Sequence, residues 1–319
     1  MEVRMPTLNT AIVTDQTRNV LQSAIAQVNS LVLGKQDAIE MVFTALLSGG
    51  HILIEDRPGL GKTTLARSMA ATLGMKFQRM QFTADLLPSD ILGVSIYEPS
   101  RSEFRFHPGP IFTQLLLADE INRAPPRTQS ALLEAMAEHQ VTVDGQCHAL
   151  PQPFFVIATQ NPTDLSGTYP LPDSQMDRFL KRISMGYPDP AAERAMLAGR
   201  DRRIMIDDSQ ILLSHEQIQA LQKGTQYIHA SEKLIAYVQA LVEQSRHQQG
   251  IRVGLSPRAG LALLSCARAR ALLNNRTHVL PEDVQSIFIG VAAHRLVADI
   301  GAGNNASIAK SIMQAVAVD

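Results

Sequence analysis

Eight residues, Asp56-Arg57-Pro58-Gly59-Leu60-Gly61-Lys62-Thr63, constrain this chain more than any other stretch. They follow the apolar run His51-Ile52-Leu53-Ile54-Glu55 and lead into Lys62-Thr63-Thr64-Leu65-Ala66, a helical start. An apolar strand, a Gly/Pro-rich turn and a helix in that order form the setting of a phosphate-binding P-loop, or Walker A motif. Glycines in the turn let successive backbone N–H groups face one anion, and the helix N-terminus adds its partial positive charge. The predicted cradle is Pro58, Gly59, Leu60, Gly61, Lys62, Thr63 and Thr64. Lys62 is placed to reach the β- and γ-phosphates of a nucleotide, and the Thr63 hydroxyl to ligate Mg²⁺. One position departs from the G-x-x-x-x-G-K-[ST] pattern, because Asp56 stands where its first glycine belongs. Asp adopts unusual backbone geometry less freely than Gly. The plainer alternative for these residues is a Gly/Pro turn before an ordinary helix, and the rest of the chain weighs against it.

The length of 319 residues accommodates a nucleotide-binding domain of about 180 residues and a smaller second one. With 45% hydrophobic and 18% charged residues the composition is that of a globular, soluble chain. The net charge of −1 provides no global basic field for nucleic acid or anionic membrane. Trp is absent and aromatics are 5%, which weighs against base-stacking recognition of single strands. Cys147 and Cys266 are far apart without metal-ligand spacing, and read as inert thiols in a reducing compartment. Met1-Glu2-Val3-Arg4-Met5-Pro6 lacks the apolar region of a signal peptide, and no apolar run reaches about 18 residues. A cytoplasmic location without a membrane span is therefore the expectation. The nine histidines read as ordinary surface or core residues.

Along the chain, Ile12, Val20, Ala24 and Val28 predict a helix over 8–30, and a second spans Gln36 to Leu47. Gly49-Gly50 closes the second helix ahead of the P-loop strand. The P-loop helix stops at Gly74, and a strand follows over 76–82, with Phe77, Arg79 and Gln81 on one face. Two extended runs between Asp85 and Gly109 predict an inserted hairpin. A buried strand at Leu115–Ala118, a helix over 127–138 and a hairpin turning at Asp144-Gly145 come next. Phe154–Ala158 and Arg182–Met185 complete a five-stranded set. Past Tyr187-Pro188-Asp189-Pro190 every apolar pattern has helical period, over 190–199, 214–223, 231–249, 256–272 and 281–298. The expected division is a nucleotide-binding core over 1–189 and a helical domain over 190–319, with a short terminal helix after 300.

Four further motifs follow the P-loop in a telling order. Asp119-Glu120 ends the apolar strand Leu115-Leu116-Leu117-Ala118, at the sheet edge where doubly wound folds bind ligands. Asp119 is predicted to hold Mg²⁺ with Thr63, and Glu120 to polarise the attacking water. Asn161, in Ala158-Thr159-Gln160-Asn161-Pro162, is an amide at the end of another strand, able to accept from that water and donate to the γ-phosphate. Arg178, in Asp177-Arg178-Phe179, is either a solvating helix-end charge or an arginine finger offered to a neighbouring subunit. Arg258, in Ser256-Pro257-Arg258-Ala259, is either a capping-region charge or a γ-phosphate sensor.

With these motifs the chain resembles the AAA+ ATPases and, within them, the MoxR family. The resemblance rests on Glu55-Asp56-x-Pro58-Gly59-x-Gly61-Lys62-Thr63, Asp119-Glu120-Ile121-Asn122-Arg123-Ala124, Ala158–Pro162, Tyr169-Pro170-Leu171-Pro172 and Asp177-Arg178-Phe179, and covers about residues 8–298. It implies an α/β fold: a P-loop AAA+ core with a parallel five-stranded sheet and two inserted β-hairpins, followed by an all-α lid. It makes Asp85–Gly109 the helix-2 insert and Val141–Leu150 the pre-sensor-1 hairpin. It also puts Val32, Leu33 and Gly34 at the adenine and Arg258 at sensor 2. The Glu-Asp start of the P-loop is familiar in that family.

The implied activity is Mg-dependent ATP hydrolysis in a hexameric ring. The implied role is chaperone-like: assembly or activation of partner complexes, often with a von Willebrand factor A domain protein. A metal-chelatase motor subunit shares every ATPase residue and differs only in partners and substrate. A nucleotide-gated scaffold without turnover has no need of Glu120 or Arg178. A DNA helicase is disfavoured by the mixed hairpin charge of Arg101, Arg105, His107, Asp144 and His148.

Overall fold

A computed structural model describes residues 14–162, 167–199, 201–299, 301 and 303–318. The first helix, α1 (Asp15–Leu31), starts at the cap Thr14, so the expected turn around Ile12 lies outside the described residues. The core continues with α2 (Gln36–Leu47), β1 (Ile52–Glu55), α3 (Lys62–Thr72), β2 (Phe77–Gln81), α4 (Pro88–Leu92), β3 (Gly93–Glu98), β4 (Glu103–Pro108) and β5 (Leu115–Asp119). It closes with α5 (Pro126–Glu138), β6 (Gln140–Val143), β7 (Gln146–Ala149), β8 (Phe155–Gln160), α6 (Asp173–Met176) and β9 (Lys181–Ile183). The helical part holds α7 (Pro190–Ala198), α8 (Arg202–Asp207), α9 (His215–Thr225), α10 (Glu232–His247), β10 (Ile251–Val253), α11 (Pro257–Leu273), α12 (Pro281–Ala292), β11 (Val297–Ala298) and α13 (Asn305–Ala315).

Five strands form one parallel sheet in the order β2-β5-β8-β1-β9. The inner strands β1, β5 and β8 are apolar up to their last residues because both faces are covered, while the edge strand β2 carries Gln78, Arg79 and Gln81. Period-two alternation then deals neighbours to opposite sides. Ile52, Ile54, Leu115, Leu117, Phe155 and Ile157 join the apolar cluster under α1, α2 and α3, while Leu53, Leu116, Ala118, Val156 and Ala158 join the one under α5. The two inserted hairpins, β3–β4 and β6–β7, pair antiparallel as expected. Asp144 and Gly145 have φ of 50° and 77°, the left-handed pair that a two-residue turn of this hand requires.

Side-chain caps start the later helices. Asp189, Ser214, Ser231 and Ser256 accept from the third residue on at α7, α9, α10 and α11. Each such cap contributes about 1 kcal/mol. Three details differ from the sequence expectation. Helix α8 is too short to leave a periodic pattern. Residues 251–253 and 297–298 make a small antiparallel ladder inside the helical part, a pairing of segments more than forty residues apart that no local pattern encodes. Helix α12 ends at Ala292 rather than near 298, because His294 and Arg295 turn back onto the core.

Candidate active site

The C-terminal ends of β1, β5 and β8 bring the P-loop, the strand-end carboxylates and the amide together. Pro58, Gly59, Gly61, Lys62, Thr63, Thr64, Asp119, Glu120 and Asn161 line one cavity of 360 Å³, with Arg79 and Gln81 from β2. Gly59 and Gly61 have φ of 84° and 90°, and a Cβ on either would meet nothing within 4 Å. The turn is therefore an open concavity walled by backbone, which side chains would fill; that suits a phosphate. Leu60 sits in the same turn without lining the cavity.

Lys62 lies folded along its own loop, where Nζ donates to the carbonyls of Asp56 (2.5 Å) and Arg57 (3.1 Å). Burial lowers its pKa, and the nearby Asp56, Asp119 and Glu120 charges oppose that shift. Asp56 needs no left-handed backbone, which removes the objection to it at a glycine position. Burial pushes its carboxyl up, but hydrogen bonds from Gly186 N (2.8 Å), Ser184 Oγ (3.0 Å), Met185 N (2.6 Å) and Arg57 N (3.2 Å) outweigh this and hold it below the usual carboxylate range. Asp56 thereby ties the P-loop to the loop leaving β9.

Asp119 is buried at the end of β5. It accepts from Thr159 Oγ1 (2.6 Å) and pairs with Arg79 at 2.8 Å. Thr159 Oγ1 in turn accepts from the Glu120 amide at 2.9 Å, so β8 sets the orientation of both acids. Glu120 has φ 57° and ψ 50°, left-handed geometry that costs a non-glycine residue on the order of 1–3 kcal/mol and that clusters at functional sites. Its carboxylate accepts from Gln81 Nε2 (2.9 Å) and faces Arg123 Nε (2.9 Å). Together Thr63, Asp119 and Glu120 give a hard oxygen donor set of the kind Mg²⁺ takes, with Arg79 supplying the positive charge beside it. Arg79 and Gln81 escaped sequence reading as site residues. Their shared face at the end of a strand beside β5 was the available signal.

Other predicted residues stand off this cavity. Arg178 Nη1 donates to the Leu133 carbonyl at 3.0 Å, and Arg258 lies 3.8 Å from Asp177, largely exposed. Neither lines the P-loop cavity of its own chain. Val32 is buried and Leu33 partly so, while a Cβ on Gly34 would lie 2.7 Å from Ala192 Cβ. The predicted adenine contacts thus adjoin the start of α7. Lys35 closes this corner by donating to the carbonyls of Met185 (3.1 Å) and Gly186 (2.5 Å).

Comparison with known proteins agrees with this fold. Residues 51–181 match the family model of ATPases associated with various cellular activities (AAA), and residues 243–313 match the AAA lid domain. The protein YeaC of Bacillus subtilis is 44% identical over 278 residues, 87% of each chain. Chaperone MoxR1 of Mycobacterium tuberculosis is 39% identical over 88% of this chain and 76% of its own. The crystal structure of an ATPase candidate from Cytophaga hutchinsonii superposes with a TM-score of 0.86 at 35% identity, covering 95% of this chain and 96% of that one. With the AAA and AAA lid matches and these relatives covering most of it, the chain belongs to the MoxR family of AAA+ ATPases.

Proposed function

We propose that the chain hydrolyses ATP to ADP and phosphate, with Mg²⁺, at the interfaces of a hexameric cytoplasmic ring. The cycle drives chaperone-like assembly or activation of a client protein complex, together with a von Willebrand factor A domain protein. The observation that carries this reading is the meeting of Lys62 and Thr63 with Asp119, Glu120 and Asn161 in one cavity. A lid over 190–319 works on a nucleotide-binding core over 1–189.

In this reading Lys62 leaves the Asp56 and Arg57 carbonyls for the β- and γ-phosphates. Thr63 and Asp119 hold Mg²⁺, which when bound neutralises charge on the phosphates. Glu120 takes a proton from the water that attacks the γ-phosphorus, and Asn161 orients that water. The bond to the β–γ bridging oxygen breaks and its electron pair leaves with ADP. Val32, Leu33 and Gly34 flank the adenine. Arg178 serves the neighbouring chain's γ-phosphate as an arginine finger, and Arg258 couples lid position to the phosphate state.

Steady-state turnover of wild type, Glu120→Gln and Arg178→Ala, with mass measured on each, tests the reading. Each variant should bind ATP and lose about 10²-fold or more in turnover. Mixing the two should restore part of it, because some interfaces then pair an intact Glu120 with an intact Arg178. A wild type that binds ATP as a stable monomer without turnover overturns the reading in favour of a nucleotide-gated scaffold.

A further inference from the structure

A second cavity, of 440 Å³, opens at the opposite edge of the sheet, where core and helical domain meet. Ser48 and Gly49 precede β1, and Gln152 and Phe154 precede β8, so it faces the strand starts, away from the P-loop. Helix α9 supplies Gln219, Gln222 and Lys223, and its cap Gln226 continues the stripe. While Ile218 and Leu221 pack inward, that spacing turns a polar stripe of the same helix toward the cavity mouth. Helix α11 adds Ser265 and Arg268, one turn apart, and His139 caps α5 beside them.

Two features make this more than a polar seam. The lining holds Arg268, Lys223 and His139 but no carboxylate. Arg268 Nε is buried without a hydrogen-bond partner, and burial lowers the guanidinium's pKa. A desolvated donor of this kind is costly unless an acceptor meets it. Gly49, at φ 69°, leaves its side of the cavity open, with nothing within 4 Å of where a Cβ would stand.

We propose that this cavity binds a small phosphorylated anion. Its volume lies in the range of small-molecule sites, about 300–1,000 Å³. Arg268 gives the planar fork that phosphate oxygens take in pairs, and Lys223 a second positive charge. The glutamine amides and serine hydroxyls supply further hydrogen bonds. Because the lining comes from α2 on one side and from α9 and α11 on the other, a bound anion clamps core and helical domain together. The inference stands independently of ATP turnover.

Inorganic pyrophosphate is the probe, followed by calorimetric titration. Wild type should bind two equivalents, one at the P-loop and one here, and Lys62→Ala should keep one. In the Lys62→Ala background, Arg268→Gln and Lys223→Gln should each weaken that remaining event about tenfold or more, the loss of one charge-assisted contact. Lys223→Gln lies on a helix surface and decides the matter if Arg268→Gln fails to fold. Loss of all pyrophosphate binding in Lys62→Ala overturns the proposal. So does a second event that both substitutions leave unchanged.

Discussion

His51, at the start of β1, makes two hydrogen bonds with opposite demands: its Nδ1 accepts from Val156 N and its Nε2 donates to the Met136 carbonyl, both at 3.1 Å. Only a neutral ring protonated at Nε2 meets both. Burial lowers its pKa to about 4, against an ordinary 6.5. The unfolded chain therefore takes up this proton first on acidification. The stabilisation is complete above pH 6.5 and is lost progressively as pH falls toward 4. His294, buried against the Phe179 carbonyl and Arg295, is shifted in the same direction. Urea unfolding between pH 6 and 4.5 should thus lose stability with a slope of about 1.4 kcal/mol per pH unit for each of these groups. His51→Gln should remove one proton's worth of that slope. Sequence alone reads these residues as ordinary histidines, since their partners lie on strands and helices about 85 to 115 positions away. The partners of Asp56 are equally remote, and its departure from the glycine pattern becomes intelligible only with the 184–186 loop in place.

Among the elements, the two hairpins act as one platform. Phe106 of β4 stacks on His148 of β7 at 4.0 Å and meets Phe112 edge-on at 5.5 Å. Glu98 lies within 4 Å of Arg101, Arg105 and His107, so the basic residues of β3–β4 are answered from within the hairpin. The mixed charge on which the sequence-based expectation about these loops rests is thus paired within the hairpin itself. Phe106→Ala should remove about 0.5–1.5 kcal/mol of aromatic pairing and speed amide hydrogen exchange in 140–149, while α2 and β1 keep their protection. Hairpins, sheet strands and long helices were all legible beforehand, because their turn chemistry and periodicity are local. The β10–β11 ladder and α8 were not, since one depends on distant pairing and the other spans fewer than two turns.

At the scale of the molecule, Arg295 fastens the helical domain to the core. Its guanidinium, almost wholly buried, pairs with Asp177 at 2.6 Å and donates to the carbonyls of Phe179 (2.8 Å) and Leu180 (3.1 Å). Arg295→Met should cost about 3–5 kcal/mol in thermal or urea unfolding, because it strands a carboxylate and several carbonyls. Under the proposed mechanism it should also reduce turnover, since Arg178 lies between the residues that Arg295 holds. The parallel sheet has a different consequence for how force travels. Its strands are a party wall between two separately packed rooms, with the helical domain on one side and the hairpins on the other. His294 and Arg295 pin the two rooms together at Asp177 and Phe179, so a displacement of the hairpins is felt in the lid through the strands and through that joint. The wall's open edge is where Lys62, Asp119 and Asn161 stand, which makes the phosphate cavity a place from which both rooms can be pushed at once.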